Sequence, residues 1–145
     1  MKPGKIRPIA ICVFQKDDRI LVAEGYDRVK QQRFYRPLGG TIEFGESSSH
    51  TIIRELQEEI GAKVINTRYL TTLENIFTYQ GELGHEIVLI FSGEFADKSI
   101  YETPQLEGCE DNGEAFIAVW KSLADFSDGQ TPLYPTGLLE LLNDK

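Results

Sequence analysis

Cysteine and histidine are scarce in this 145-residue chain, and long apolar runs are missing. Each shortage narrows the chemistry. The two cysteines, Cys12 and Cys109, lie far apart, and neither belongs to a C-x-x-C pair. His50 and His85 make no zinc-type spacing with them. Cys12 falls in an apolar run and reads as a small core residue, while Cys109 falls in a loop and takes no role. No apolar stretch approaches the ~18 residues that a transmembrane helix needs. Met1-Lys2-Pro3-Gly4 leads into a strand-like pattern without a signal-peptide core. The expected compartment is therefore the cytoplasm, with no membrane partner. Positive charge is also short: 15 Lys and Arg stand against 23 Asp and Glu, a net charge of −8. That balance argues against a surface that coats nucleic acid. It leaves room for a small nucleotide, whose phosphates a metal and a few local cations can meet.

What is present reads as one domain, 1–145, with enough chain for a substantial core. A hydrophobic content of 41% with 26% charged residues fits an ordinary globular protein. Ile6–Phe14 and Arg19–Tyr26 read as two strands joined by a polar turn, hence a hairpin. Pro8 suggests that the first strand lies at an edge or entry position. Asp27–Arg36 reads as a polar loop ending in aromatics. It gathers Arg28, Lys30, Arg33 and Arg36 beside Tyr26, Phe34 and Tyr35. Cations next to aromatics suit phosphate binding and base stacking, although a basic solvated loop has the same composition. Val64–Gln80 and His85–Phe95 read as antiparallel partners, Asp97–Asn112 as a polar loop, and Glu114–Lys121 as a last strand. Ser122–Phe126 suggests a helical turn, and Pro135–Asn143 a short helix. No repeat, linker or low-complexity tract appears. Strands on both sides of a helix, with a helix at the end, indicate an α+β layered domain.

Gly40–Ala62, GTIEFGESSSHTIIRELQEEIGA, is the informative stretch. Ser47, Ser48 and Ser49 offer helix caps, and Gly61 is a natural stop because glycine takes the left-handed turn freely. The spacing predicts a helix from about Ser48 to Ile60. Glu55, Glu58 and Glu59 stand at i, i+3 and i+4 and share one face. Ile52, Ile53, Leu56 and Ile60 cluster on another. Like charges at this spacing cost roughly 0.2–0.5 kcal/mol per pair, and the helix dipole disfavours anions in the last turn. A divalent cation such as Mg²⁺ or Mn²⁺ reverses the sign of that cost. A solvated acidic face shows the same residues without any ion.

The stretch resembles the Nudix box of the Nudix hydrolase family. That motif runs glycine, five residues, Glu, seven residues, then R-E-aliphatic-x-E-E-x-G-aliphatic. Gly40, Glu46, Arg54, Glu55, Leu56, Glu58, Glu59 and Gly61 match in register, and Ala62 matches weakly at the end. The proline that many members carry directly before the glycine pair is Leu38 here, with Pro37 one step earlier.

The resemblance implies a mixed β-sheet core sandwiched between helices. It implies metal-dependent hydrolysis of the diphosphate in a nucleoside diphosphate linked to another moiety, X. Glu55, Glu58 and Glu59 would then be metal carboxylates, with the Gly39 carbonyl as a further ligand. Arg54 would hold a box carboxylate, Glu46 would brace the loop against the helix, and Gly40, Glu43 and Gly61 would be structural. Members differ in the general base. Glu55 is the first candidate and Glu114, at the start of the last strand, is a metal ligand or the alternative base. Glu107 and Glu110 compete with it. Arg28, Arg33, Tyr35, Arg36 and His85 are the candidate substrate contacts. Of Glu74 and Asn75, alternation sends one inward. A homodimer is compatible with the family.

Two other readings come with the resemblance. A nucleotide-sensing module without hydrolysis often loses box acids, and none is lost here. An isoprenoid diphosphate isomerase calls for a catalytic cysteine near the box, and Cys12 and Cys109 are both remote from it.

Overall fold

Apolar patterning along the chain sets the order of elements. The computed structural model describes residues 4–144. The strands are β1 (Ile6–Val13), β2 (Gln15–Lys16), β3 (Arg19–Asp27), β4 (Gln32–Arg36) and β5 (Leu38–Thr41). Helix α1 (Ser48–Ile60) follows, then β6 (Val64–Tyr79), β7 (Glu82–Phe95), β8 (Gln105–Cys109), β9 (Ala115–Ser122) and helix α2 (Leu138–Asn143). Two 3₁₀ turns, Lys98–Glu102 and Leu123–Phe126, fill the connections.

The strands form two sheets. One has the order β5-β1-β7-β6, and β1 runs parallel to β7, so this sheet is mixed. The other runs β2-β3-β9-β8, with β4 paired to β3, and is antiparallel. Ile9 to Val13 are all buried. A strand buried on both faces reads as a continuous apolar run, and β1 is such an interior strand.

That position corrects the expected hairpin and removes the edge alternative for Pro8, leaving it near the entry of its strand. β1 and β3 do not form a hairpin but belong to different sheets; the chain crosses between them after Phe14, whose carbonyl accepts from Leu21 N–H. Pro8 is not on an edge strand. Its carbonyl accepts from Ile42 N–H just past the end of the β5 pairing, so its missing donor faces the side where the ladder has stopped. Two expected loops also carry strands: Asp27–Arg36 contains β4 and Asp97–Asn112 contains β8. β8 is five residues with alternating exposure on an outer edge, too short and polar to show as a strand in the sequence.

Two apolar clusters hold the layers together. One joins Ile9, Ile11, Val88 and Ile90 to Ile20, Val22, Leu138 and Leu142. The other joins Ala10, Cys12, Phe14, Leu21 and Phe91 to Ile52 and Leu56 of α1. Burying Ile52 and Leu56 is worth roughly 1.5–3 kcal/mol each. Ser47 caps α1 by accepting from His50 N–H, and Gly61 ends it at φ 66°. The buried stripe of α1 keeps Ile52 and Leu56 of the expected aliphatic face, with Ile60 packed against the core, but is shifted round the helix. Ile53 is exposed, while Glu55 and Glu59 are buried. Among the described residues, no helix is long and apolar enough to cross a membrane.

Candidate active site

A cavity of about 970 Å³ opens between the two sheets and α1. Gly39 and Gly40 form part of its wall; backbone bars a side chain at Gly39, and the Glu55 carboxylate fills the space a side chain at Gly40 would take. A Cβ on Gly39 would stand 2.0 Å from the Ala10 carbonyl oxygen; one on Gly40 would stand 2.3 Å from the Glu55 carboxyl carbon. The glycine pair therefore lets β5 lie against β1 and lets Glu55 reach the cavity beneath the backbone.

Arg54 organises the acids around it. Its Nε and Nη2 donate to the two Glu46 oxygens at 2.7 and 2.9 Å, a bidentate bond. Its Nη1 donates to Glu55 Oε1 at 2.8 Å and to Glu58 Oε1 at 3.2 Å, and its Nη2 also donates to the Thr41 carbonyl. Glu43 stands 3.3 Å from the same guanidinium. Arg54, with help from the Thr51 hydroxyl, pulls the Glu46 carboxyl down to about 2. One arginine thus ties the loop after β5 to the middle of α1.

Glu55 and Glu59 face the cavity from α1, and burial raises the pKa of both. For Glu59 the rise reaches about 9, with Glu110 and Glu55 adding repulsion. Glu59 Oε1 is buried and has no hydrogen-bond partner among the described residues. A buried carboxylate oxygen without a partner is costly, and a cation satisfies it. Glu58 is half exposed and lies outside the cavity lining, but its carboxylate belongs to a second group. One oxygen each from Glu55, Glu58 and Asp111 lie within 4.8 Å of one another. An all-oxygen set of this kind suits Mg²⁺ or Mn²⁺, so the residues present fit such an ion. Asp111 was not among the expected ligands. It sits in the turn between β8 and β9, where the Glu110 N–H to Glu114 carbonyl bond brings the loop back on itself. Its only sequence signal was membership of an acidic loop.

Glu114 and Glu110 line the cavity with Asp111. Glu114 is exposed and precedes β9 instead of opening it. Arg36 also lines the cavity. The other four expected substrate contacts do not, and strand alternation explains three of them. In β4, Gln32, Phe34 and Arg36 take the cavity side, so Arg33 turns outward and Tyr35 is buried in the core with its hydroxyl on Glu24. In β7, Glu86 takes the cavity side, so His85 faces the other way. Arg28 lies in the β3–β4 turn, where its N–H bonds Gln80 outside the cavity. Alternation also resolves the β6 pair: Asn75 lines the cavity and is buried, and Glu74 is exposed. Lys30 reaches the cavity and donates to the Thr78 carbonyl.

The NUDIX domain family model matches residues 5–139. The chain belongs to the Nudix family. It is 38% identical over 69 residues to the NAD-capped RNA hydrolase NudC of Enterobacter sp. strain 638, covering 47% of this chain and 26% of that protein. To NudC of Pseudomonas aeruginosa strain LESB58 it is 29% identical over 123 residues, 82% of this chain and 37% of that one. The chain thus matches about a quarter to just over a third of the length of these Nudix relatives. Among solved structures, a NUDIX hydrolase from Nitrosomonas europaea superposes with a TM-score of 0.64 at 20% identity, over 97% of this chain and 88% of that one. A MutT NUDIX hydrolase from Burkholderia pseudomallei gives 0.58 at 21%, over 98% and 100%. These likenesses establish the α+β Nudix fold, here with its β core divided into two sheets.

Proposed function

We propose that this chain hydrolyses the diphosphate bond of a nucleoside diphosphate linked to a moiety X, using Mg²⁺ or Mn²⁺. The observation that carries the reading is the acid wall of the cavity. Glu59 keeps a buried oxygen without a partner there, and Glu55, Glu58 and Asp111 converge beside it. Glu55, Glu58, Glu59 and Asp111 would hold the ion, with the Gly39 carbonyl as a further donor. A bound divalent ion supplies positive charge against the diphosphate oxygens and makes a nucleophilic water more acidic.

The chain's own residues do the rest. Arg54 fixes Glu55 Oε1, which leaves the second oxygen to take a proton from water. Glu114, at the cavity rim, is the alternative base. Arg36, whose charge reaches Glu59, offers the diphosphate a cation beside the acids, and the cavity walls orient the bond for in-line attack.

The test is a product screen by mass spectrometry over nucleotide sugars, nucleoside triphosphates, ADP-ribose, dinucleoside polyphosphates and NAD. NAD earns its place because it is a dinucleotide joined by a diphosphate. Glu59→Gln, confirmed as folded, should lower metal-dependent turnover at least about a hundredfold, since metal charge is worth several kcal/mol in the transition state. A folded wild type that cleaves nothing but is stabilised by one of these compounds would favour a nucleotide-sensing module instead.

A further inference from the structure

The cavity has a second polar wall, carried by β1, β6 and β7, that the hydrolytic reading leaves unused. Asn75 of β6 stands opposite Glu86 of β7, and Glu86 stands opposite Arg7 of β1. Residues directly opposite in a sheet share a face, so the three side chains form one row across three strands. All three line the cavity. Asn75 is 4% exposed and Glu86 3%.

Their internal bonding is incomplete. Thr136 N–H donates to Asn75 Oδ1 at 3.3 Å, which orients the amide and leaves its NH₂ to donate elsewhere. Arg7 gives Nη2 to the Thr41 hydroxyl at 2.7 Å. Its Nη1 approaches Glu86 Oε2 only to 3.6 Å, an ion pair without a hydrogen bond. Among the described residues, no donor bonds the Glu86 carboxylate. Unlike Glu59 Oε1, the Glu86 oxygens open to the cavity, so they are acceptors within reach of a ligand.

We propose that this row reads the base of the nucleotide and selects guanine. The inference rests on the reading of the cavity as a nucleotide site. A carboxylate presents acceptors only. Opposite it, a base must offer two adjacent N–H donors. Guanine does so with N1–H and its 2-amino group, and its O6 then meets the Asn75 NH₂. Adenine and cytosine set a bare ring nitrogen beside the amino group, and uracil and thymine flank one N–H with carbonyls. Each of these puts an acceptor against the carboxylate. Beside the row, Phe34 makes edge contacts with Tyr79 and Tyr134, each at 5.7 Å between centroids. All three rings line the cavity and offer a stacking surface. The diphosphate would then extend from the base toward the acid wall.

Binding of GMP, IMP, AMP and CMP in Mg²⁺, measured by calorimetry, tests this without any anhydride to cleave. IMP differs from GMP only in lacking the 2-amino group. GMP should bind about 10–100-fold tighter than IMP, the range expected for a bidentate base contact. Glu86→Gln, which exchanges an acceptor for a donor, should bring the ratio close to one. Asn75→Asp keeps the acceptor for Thr136 and removes the donor to O6, and should weaken GMP. Equal GMP and IMP binding in the wild type overturns the proposal, as does a ratio that survives in folded Glu86→Gln. If Glu86→Gln does not fold, the wild-type ratio and Asn75→Asp decide. Turnover is measured separately on GTP, ATP and GDP- and ADP-sugars. Turnover without base preference refutes guanine selection and leaves the hydrolase reading standing. GMP preference without turnover does the reverse.

Discussion

Glu59 concentrates the conflict built into this site. Its carboxylate is buried, has an oxygen without a partner among the described residues, and sits near Glu55, Glu110 and Asp111. Without metal the neutral form is favoured, and burial pushes the folded pKa up to about 9 from the ordinary 4.5 of a glutamate. The folded state therefore binds the proton more tightly than the unfolded chain. Its stabilising effect is complete below pH ~4.5 and is lost as pH rises through about 9. Melting of metal-free protein should show Tm falling across that window. Glu59→Gln, uncharged and of the same shape, should flatten the fall. Mg²⁺ should also flatten it, because the ion favours the charged carboxylate. A Tm profile in this window that is the same in wild type and Glu59→Gln would mean that Glu59 is solvated and that the burial argument is wrong.

At the scale of elements, α1 is a capped rod that holds the acids, and its ends and middle can be perturbed separately. Ser47→Ala removes the bond from His50 N–H and should cost about 1 kcal/mol in denaturant unfolding. Turnover should change little, because Ser47 lies outside the cavity lining. Gly40→Ala is the contrasting change. Its Cβ would fall 2.3 Å from the Glu55 carboxyl carbon, so Glu55 must move. A displacement of about 1 Å at a reacting group costs roughly a hundredfold, and kcat should fall accordingly, with stability the lesser loss. The same element shows what the sequence could disclose. The limits of α1, its caps and its acids follow from spacing and end chemistry, because helix signals are local. The β1–β7 pairing joins residues about eighty positions apart in the chain, and no local pattern announces it. The hairpin expected for β1 and β3 failed for that reason. Alternation predicted that one of Glu74 and Asn75 points inward, but only the sheet register decides which. Asp111 went unrecognised because an acidic turn carries no periodicity; its value comes from a hairpin that returns it to α1.

At the scale of the whole molecule, a net charge of −8 sets the order in which ligands can be accommodated. An anionic diphosphate approaching the wall of Glu55, Glu59, Glu110 and Asp111 meets repulsion focused by a low-dielectric cleft. Arg36 is a cation on that cavity surface, but Arg54 is already engaged by Glu46, Glu55 and Glu58. A divalent ion that binds only the folded state stabilises it by mass action, about 2.7 kcal/mol at a hundred times its Kd. Mg²⁺ titrated into the wild type should therefore raise Tm by several degrees and saturate. KCl at matched ionic strength should give a smaller, unsaturating rise, because it only screens surface charge. Glu55→Gln and Glu59→Gln should each weaken the Mg²⁺ response, and Glu43→Gln, on the exposed side of Arg54, should retain it. If KCl reproduces the whole Mg²⁺ effect, the acids repel one another as a solvated face does and hold no ion. If Mg²⁺ alone saturates, the repulsion that burdens the empty site is what gives the ion its affinity, and nucleotide binding should then require the metal first.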